Sequence, residues 1–341
     1  MTRSKPSRNR YVLGGDIGGT KTALRLAISN PMRPARIAEQ QYESQAYRSL
    51  SQIITEFLRR AGHDEGIASA CFAVAGPVLN QSAKLTNLPW RITATEISAR
   101  FGIESVLLIN DFQAVAVGLE ALTTSQLITL QRGVKARTGT RLAVGAGTGL
   151  GVAWASQDAG VIVAHASEAG HTGFAPIGEA QRELLRYLEA KFGRVSSERV
   201  LSGPGLVNIF EFFRAEHQVS DGLNDALADG DDAAAIISDF ALRRADSTAV
   251  EALDVMASIY GAFAGDMALT TLPTGGVYIA GGIAPKIAEK LQDGAFIRAF
   301  RDKGRFSDLL SRVPVYIVMT PKAGLLGATL LAHRALTPRA G

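Results

Sequence analysis

An α/β fold in two lobes is the expectation this sequence sets, and three features carry it. Strand-like apolar runs alternate with helical stretches along most of the 341 residues. A strand, a glycine–threonine turn and a second strand occur twice, at GGDIGGTK and at GAGTGLG. The length suits two domains of ordinary size, and 47% hydrophobic against 20% charged residues supplies apolar surface for sizeable cores.

The elements follow in order. Residues 11–28 read as a strand, the turn within GGDIGGTK and a second strand, and 47–61 reads as a helix. IASACFAVAGPV is an apolar strand stopped by Gly76-Pro77. TATEISARFG is a short helix: Thr93 and Glu96 have capping-box spacing and Gly102 is placed to end it. SVLLIN is a buried strand running straight into a helix to about Leu122, with Asp111 placed as its cap. RLAVGAGTGLGVAWA repeats the strand–turn–strand device, and a polar loop, ASEAGHTGFAP, precedes a helix over about 179–191. LSGPGLVNIFEFF starts a helix with Ser202 as cap and Pro204 in the first turn. Residues 220–247 are acidic and alanine-rich, and a long helix then runs to about Thr271. GGVYIAGGIAPKIAEKL is strand, double-glycine turn and helix; VPVYIVM and AGLLGATLLAHRAL close the chain as strand and helix.

Bulk properties exclude several functions. The net charge of +4 is mild for this length, and the basic residues are spread out except in MTRSKPSRNR. That leader reads as a disordered tip at residues 1–10, with no apolar core of a signal peptide. No apolar run approaches the ~18 residues of a membrane span. The single cysteine, Cys71, sits in an apolar run and reads as core, which fits a reducing cytoplasm. Neither nucleic acid nor a membrane is an expected partner.

GGDIGGTK sets an acid before a Gly-Gly-Thr turn. Glycines let backbone N–H groups approach a phosphate closely, and Thr20 adds a hydroxyl. Asp16 cannot ligate a phosphate, but it suits Mg²⁺ held through water. An ordinary glycine-rich hairpin would read the same way. The second turn, at 145–151, lacks the dinucleotide fingerprint, and the chain has no P-loop motif. Two such hairpins suggest a phosphate chain gripped from both sides of a cleft. Gly281-Gly282 suits an adenine or ribose lying against the backbone, or simply a tight strand-to-helix turn. His165, Glu168 and His171 recur every third residue, yet in a Gly/Ser-rich stretch rather than on one helix face. A polar loop presenting Glu168 and His171 to a hydroxylated ligand is expected before a zinc site.

Taken together, GGDIGGTK, TNLPW, LLINDFQAVAVGL, GAGTGLGVA, EAGHTGFAP, SSERVLSGPGLVN and GGVYIAGGIAPK resemble, in this order, the bacterial ATP-dependent glucokinase family. The resemblance is to the branch outside the repressor/ORF/kinase group and covers about residues 11–335. It implies an actin-like, ribonuclease H-like sugar-kinase fold with an inter-domain cleft. A small α/β domain would span 11–120 plus about 318–341, and a large one 121–317. It also implies transfer of the γ-phosphate of ATP to the 6-hydroxyl of D-glucose with Mg²⁺, at the entry to glycolysis, by a cytoplasmic homodimer.

Residue by residue, the resemblance puts the catalytic aspartate at Asp111. Sugar-binding residues fall at Asn110, Glu168, His171 and Glu198, and the ATP loop at Gly15, Asp16, Ile17, Gly18, Gly19 and Thr20. Gly147 and Thr148 would meet phosphate, and Gly281 and Gly282 the adenosine. Lys21 stands where many relatives have Asn, and Ala169 where many have Gly. The mechanism expected is proton acceptance by Asp111 as the 6-hydroxyl attacks in line. Two other classes share the features: a catalytically weak sugar sensor of the same fold, and an actin-like ATPase without a sugar. The latter leaves INDF and EAGH unexplained.

Overall fold

The computed structural model describes residues 11–30, 34–63, 66–85, 88–158 and 161–336; the leader at 1–10 lies outside the described residues. The chain divides into two compact units, Met1–Leu122 with Lys322–Gly341, and Thr123–Pro321.

The smaller unit is built on a five-stranded sheet. β1 (Tyr11–Ile17), β2 (Lys21–Ile28) and β3 (Ala35–Glu43) run antiparallel, and β4 (Ile67–Val74) and β7 (Ser105–Asn110) add parallel strands, in the order β3-β2-β1-β4-β7. A two-stranded ribbon, β5 (Ser82–Lys84) and β6 (Arg91–Thr93), lies between β4 and β7 in the chain. Alternate residues of the central strands face two layers, as the period of two requires. Leu13, Leu24 and Phe72 pack with Ile53 and Phe57 of α1 (Leu50–Ala61) and with Ile97 of α2 (Ala94–Phe101). Val12, Cys71 and Ala73 face Ala328 and Ala332 of the C-terminal helix, Ala323–Arg334. Small residues there allow close approach. A Cβ on Gly118 of α3 (Asp111–Gly118) would strike the Ala323 carbonyl, and one on Gly327 would strike the Ala114 carbonyl. Thr93 caps α2 through the Glu96 N–H, and Gly102 ends it in the left-handed conformation, both as expected.

The larger unit has a six-stranded sheet, β11-β10-β9-β12-β13-β8. The strands are β8 (Leu127–Gln131), β9 (Arg141–Ala146), β10 (Leu150–Asp158), β11 (Val161–Ser167), β12 (Gly276–Ala280) and β13 (Val315–Val318). β9, β10 and β11 run antiparallel, while β9, β12 and β13 are parallel neighbours, so this sheet repeats the order of the smaller one and adds antiparallel β8. Its helices include α4 (Gly178–Phe192), α5 (Gly203–Arg214), α6 (Asp221–Asp229), α7 (Ala233–Leu242) and α8 (Ser247–Thr271). The absence of any membrane-length apolar run needs correction: α8 is long and apolar enough by length and composition. About two-thirds of its apolar window is buried, with Met256, Tyr260 and Ala264 inside the unit's core. The Tyr260 hydroxyl accepts from the Ala146 N–H at 3.1 Å, tying α8 to the end of β9.

Candidate active site

In the smaller unit the first glycine–threonine turn joins β1 to β2. Gly18 N–H donates to the Lys21 carbonyl at 2.9 Å, and Ser44 holds the turn by donating its hydroxyl to the Gly18 carbonyl and its N–H to that of Thr20. Thr20 is exposed, as is Lys21. Gly15 lies within β1, where a Cβ would meet the Phe72 ring, and the Ile17 side chain is fully buried in the core. These two shape the strand from inside; the groups that face outward from the loop are Gly18, Gly19 and Thr20.

Asp16 sits at the end of β1 with its Oδ2 2.7 Å from where a Cβ on Gly324 would lie, at the start of the C-terminal helix. It keeps a solvent-accessible edge, yet protein atoms crowd it. That burial, together with the negative field of Asp111, pushes its carboxyl up to about 7. Asp111 is the first residue of α3, where the parallel strand β7 ends. The expected cap needs correction: Asn110, not Asp111, is the N-cap. Its Oδ1 accepts from the Phe112 and Gln113 N–H groups, while the Gln113 side chain accepts from the Asn110 N–H. Asn110 Nδ2 also donates to the Gly76 carbonyl at 3.2 Å. The helix start therefore has its cap on Asn110, and Asp111 Oδ1 accepts the adjacent Phe112 N–H at 2.9 Å.

In the larger unit the second turn joins β9 to β10. Gly147 N–H donates to the Gly149 carbonyl, and the Gly147 carbonyl accepts from Gly203 N–H at the start of α5, both at 2.8 Å. Among the described residues beyond their chain neighbours, nothing lies within 4 Å of a Cβ placed on Gly147 or Gly282, so open space faces both glycines. Gly281 has φ of +81° and its Cβ would strike the Ala146 carbonyl, so glycine is required there by conformation and by space.

The segment read as a polar loop starts instead as strand β11 and continues as a short 3₁₀ turn, Ala169–His171. His165 belongs to that strand: its Nε2 lies 2.9 Å from Ser156 Oγ and its ring stacks on Trp154. It stands apart from Glu168 and His171, and among the described residues no three His, Cys, Asp or Glu side chains form a metal cluster. Glu168 and His171 are exposed on the turn. His171 Nδ1 lies 4.0 Å from Glu198 Oε1, so these two polar groups converge. Arg194 fixes the turn by donating to the His171 carbonyl at 2.7 Å.

Beside Gly147, Thr148 and Gly282 opens a cavity of about 840 Å³. Leu206, Val207, Ile283 and Ile287 give it apolar walls, and Asp231, Asp232 and Lys286 charge it. The start of α7 was missed in the sequence. An acidic, alanine-rich stretch signals a helix cap, here Asp232 accepting from Ala235 N–H at 3.0 Å, but not a cavity wall. A volume of this size, apolar with a few polar groups, suits a nucleoside.

Against solved structures, the chain aligns with a glucokinase from an Antarctic psychrotroph at a TM-score of 0.84 and 29% identity, covering 95% of this chain and 99% of that one. It also aligns with a Balamuthia mandrillaris glucokinase solved in complex with glucose, at a TM-score of 0.77 and 21% identity, covering 96% and 94%. Fold and turns together define a two-domain α/β sugar kinase. Within that class, the chain belongs to the glucokinase family, whose model matches residues 13–335. A glucokinase of Synechocystis sp. is 39% identical over 344 residues, spanning 94% of this chain and 97% of its own.

Proposed function

We propose that this protein transfers the γ-phosphoryl group of ATP to the 6-hydroxyl of D-glucose, giving glucose 6-phosphate and ADP. The observation that carries the reading is the start of α3: Asn110 supplies the cap, and the Asp111 carboxylate stands at the first helical position, at the end of a parallel strand and in the field of Asp16. Ligands of open α/β sheets bind at such carboxyl ends of strands.

Asp111 accepts the proton of the 6-hydroxyl as that oxygen attacks the γ-phosphorus. The other hydroxyls are held by Asn110, Glu168, His171 and Glu198. Asn110 Oδ1 already accepts two backbone bonds, so its contribution is the remaining Nδ2 proton. The N–H groups and hydroxyls of Gly18–Thr20 and Gly147–Thr148 receive the phosphates. The nucleoside occupies the cavity beside Gly281 and Gly282, against Ile283 and Val207. The residues fit Mg²⁺: Asp16 and Asp111 are two carboxylates in each other's field, a hard oxygen donor set that a divalent cation relieves. Bound there through Asp16 and water, Mg²⁺ supplies charge neutralisation on the phosphates. A cytoplasmic homodimer completes the reading, and light scattering of the purified chain tests the assembly.

Asp111→Asn tests the assignment. Turnover falls by roughly 10²–10⁴-fold, with glucose affinity largely kept. Coupled ADP release in the parent requires glucose; turnover without sugar would make the protein an ATPase, and glucose binding without turnover a sensor.

A further inference from the structure

The carboxylate of Glu198 is tied to the phosphate turn. Its Oε2 accepts the Leu150 N–H at 2.9 Å, and the same oxygen lies 2.6 Å from where a Cβ on Gly149 would be. Beyond the chain neighbours of Gly149, the only other atom within 4 Å of that Cβ among the described residues is Glu198 Cδ, at 3.4 Å. Gly149 has no left-handed φ, so its backbone does not demand glycine. What demands it is the acid. Glu198 stands on a 3₁₀ turn, Ser197–Arg199, whose Glu198 carbonyl accepts the Ser202 hydroxyl at 2.8 Å. The next residue, Gly203, donates its N–H back to the Gly147 carbonyl. The segment is thus stitched to the turn at both ends. With Oε2 held by Leu150, Oε1 is directed towards His171.

We propose that Gly149 and the Leu150 N–H are positioning residues for the sugar: they seat the Glu198 carboxylate, so the turn that receives donor phosphate also sets the geometry of glucose recognition. The inference rests on Glu198 being a sugar ligand. Gly149 then acts on glucose without touching it, through one displaced oxygen. Because that oxygen ends a flexible side chain, an added methyl group moves the acid rather than unfolding the turn.

The test is a double-mutant cycle of Gly149→Ala and Glu198→Ala, read by calorimetric affinities for glucose and for ADP and by glucose-induced shifts in Tm. In the parent background Gly149→Ala weakens glucose roughly 10-fold or more, the scale of a misplaced hydrogen bond to a charged group, and changes ADP affinity by less than about 3-fold. In the Glu198→Ala background the same change adds less than about 2-fold, because the group it displaces is gone. An undiminished glucose penalty in both backgrounds overturns the inference. So does a penalty that falls on ADP instead, which would make Gly149 a phosphate-approach glycine only. Unchanged glucose affinity in Glu198→Ala alone refutes the sugar-ligand reading and removes the inference with it.

Discussion

Single residues around the acids are chosen for the space they leave. Gly324 is the second residue of the C-terminal helix, and a Cβ there would meet Asp16 Oδ2 at 2.7 Å. Helix propensity and site geometry therefore pull Gly324→Ala in opposite directions. Alanine favours the helix by about 0.5–1 kcal/mol over glycine, so Tm holds or rises. The displaced Asp16 carboxylate lowers kcat by roughly 10- to 100-fold, the cost of misplacing a group by about 1 Å. A steady-state assay beside a thermal melt reads both signs at once; a stabilised variant with parental kcat would detach Asp16 from the chemistry. In sequence Gly149 shows only as one glycine of a glycine–threonine turn, and Gly324 only as a small residue of the last helix. Asp16 and Glu198 are visible as acids in motifs, but the glycines that seat them lie far along the chain at 324 and 149 and meet them only in the folded units.

At the level of elements, local chemistry was the readable part. Thr93 and Ser202 cap their helices as their spacing indicates, Gly102 ends one in a left-handed turn, and both glycine–threonine turns join antiparallel strands. What escaped was edge strand and shared cap. β3 is an edge strand with mostly exposed or half-buried residues, so ARIAEQQYE shows no apolar alternation, and of β11, at the edge of the other sheet, Ala166 and Ser167 fall in the stretch that reads as a polar loop. Two adjacent capping residues, Asn110 and Asp111, cannot be ranked without the Gln113 side chain that completes the box on Asn110. Asp246 shows what a cap is worth in a buried setting. It starts α8, accepting from Ala249 N–H and, with its other oxygen, from Ser220 N–H, both at 2.8 Å. Burial pushes its carboxyl up, but these backbone bonds outweigh it and hold the group below the ordinary range. Asp246→Ala should cost about 2 kcal/mol at neutral pH, a lost cap plus an unpaired N–H. Because the folded-state value is depressed, that contribution is fully present above the unfolded value near 4. It is lost as pH falls through the folded value. Denaturant titrations of parent and variant should therefore show a constant gap above about pH 5 that closes on acidification below about pH 4; a pH-independent gap would mean the carboxylate's charge contributes nothing.

The whole molecule is two sheets of one order on a single chain, and the chain closes the smaller unit from its far end. Sequence alternation and the repeated hairpin carry that two-lobed architecture, but the return of Ala323–Arg334 to pack on β1, β4 and α3 is a contact between the chain's two ends. Its packing against α3 depends on paired glycines, because Cβ atoms on Gly327 and Gly118 would strike the carbonyls of Ala114 and Ala323. Those obstacles are backbone atoms, which cannot swing aside as the Glu198 carboxylate can. Gly327→Ala is therefore expected to separate the two helices at a cost of about 1–3 kcal/mol, although the same change favours an isolated helix. The loss should be confined to one unit, because the crossing lies wholly within it and a chain of two units need not unfold in one step. Hydrogen exchange should quicken in α3 and in the C-terminal helix while α8 of the larger unit keeps its protection. Turnover should fall with it, since α3 carries Asp111 at its first position. Parental exchange in α3 would show that the helices absorb a methyl group, and uniform loss across both units would show that the chain unfolds as one.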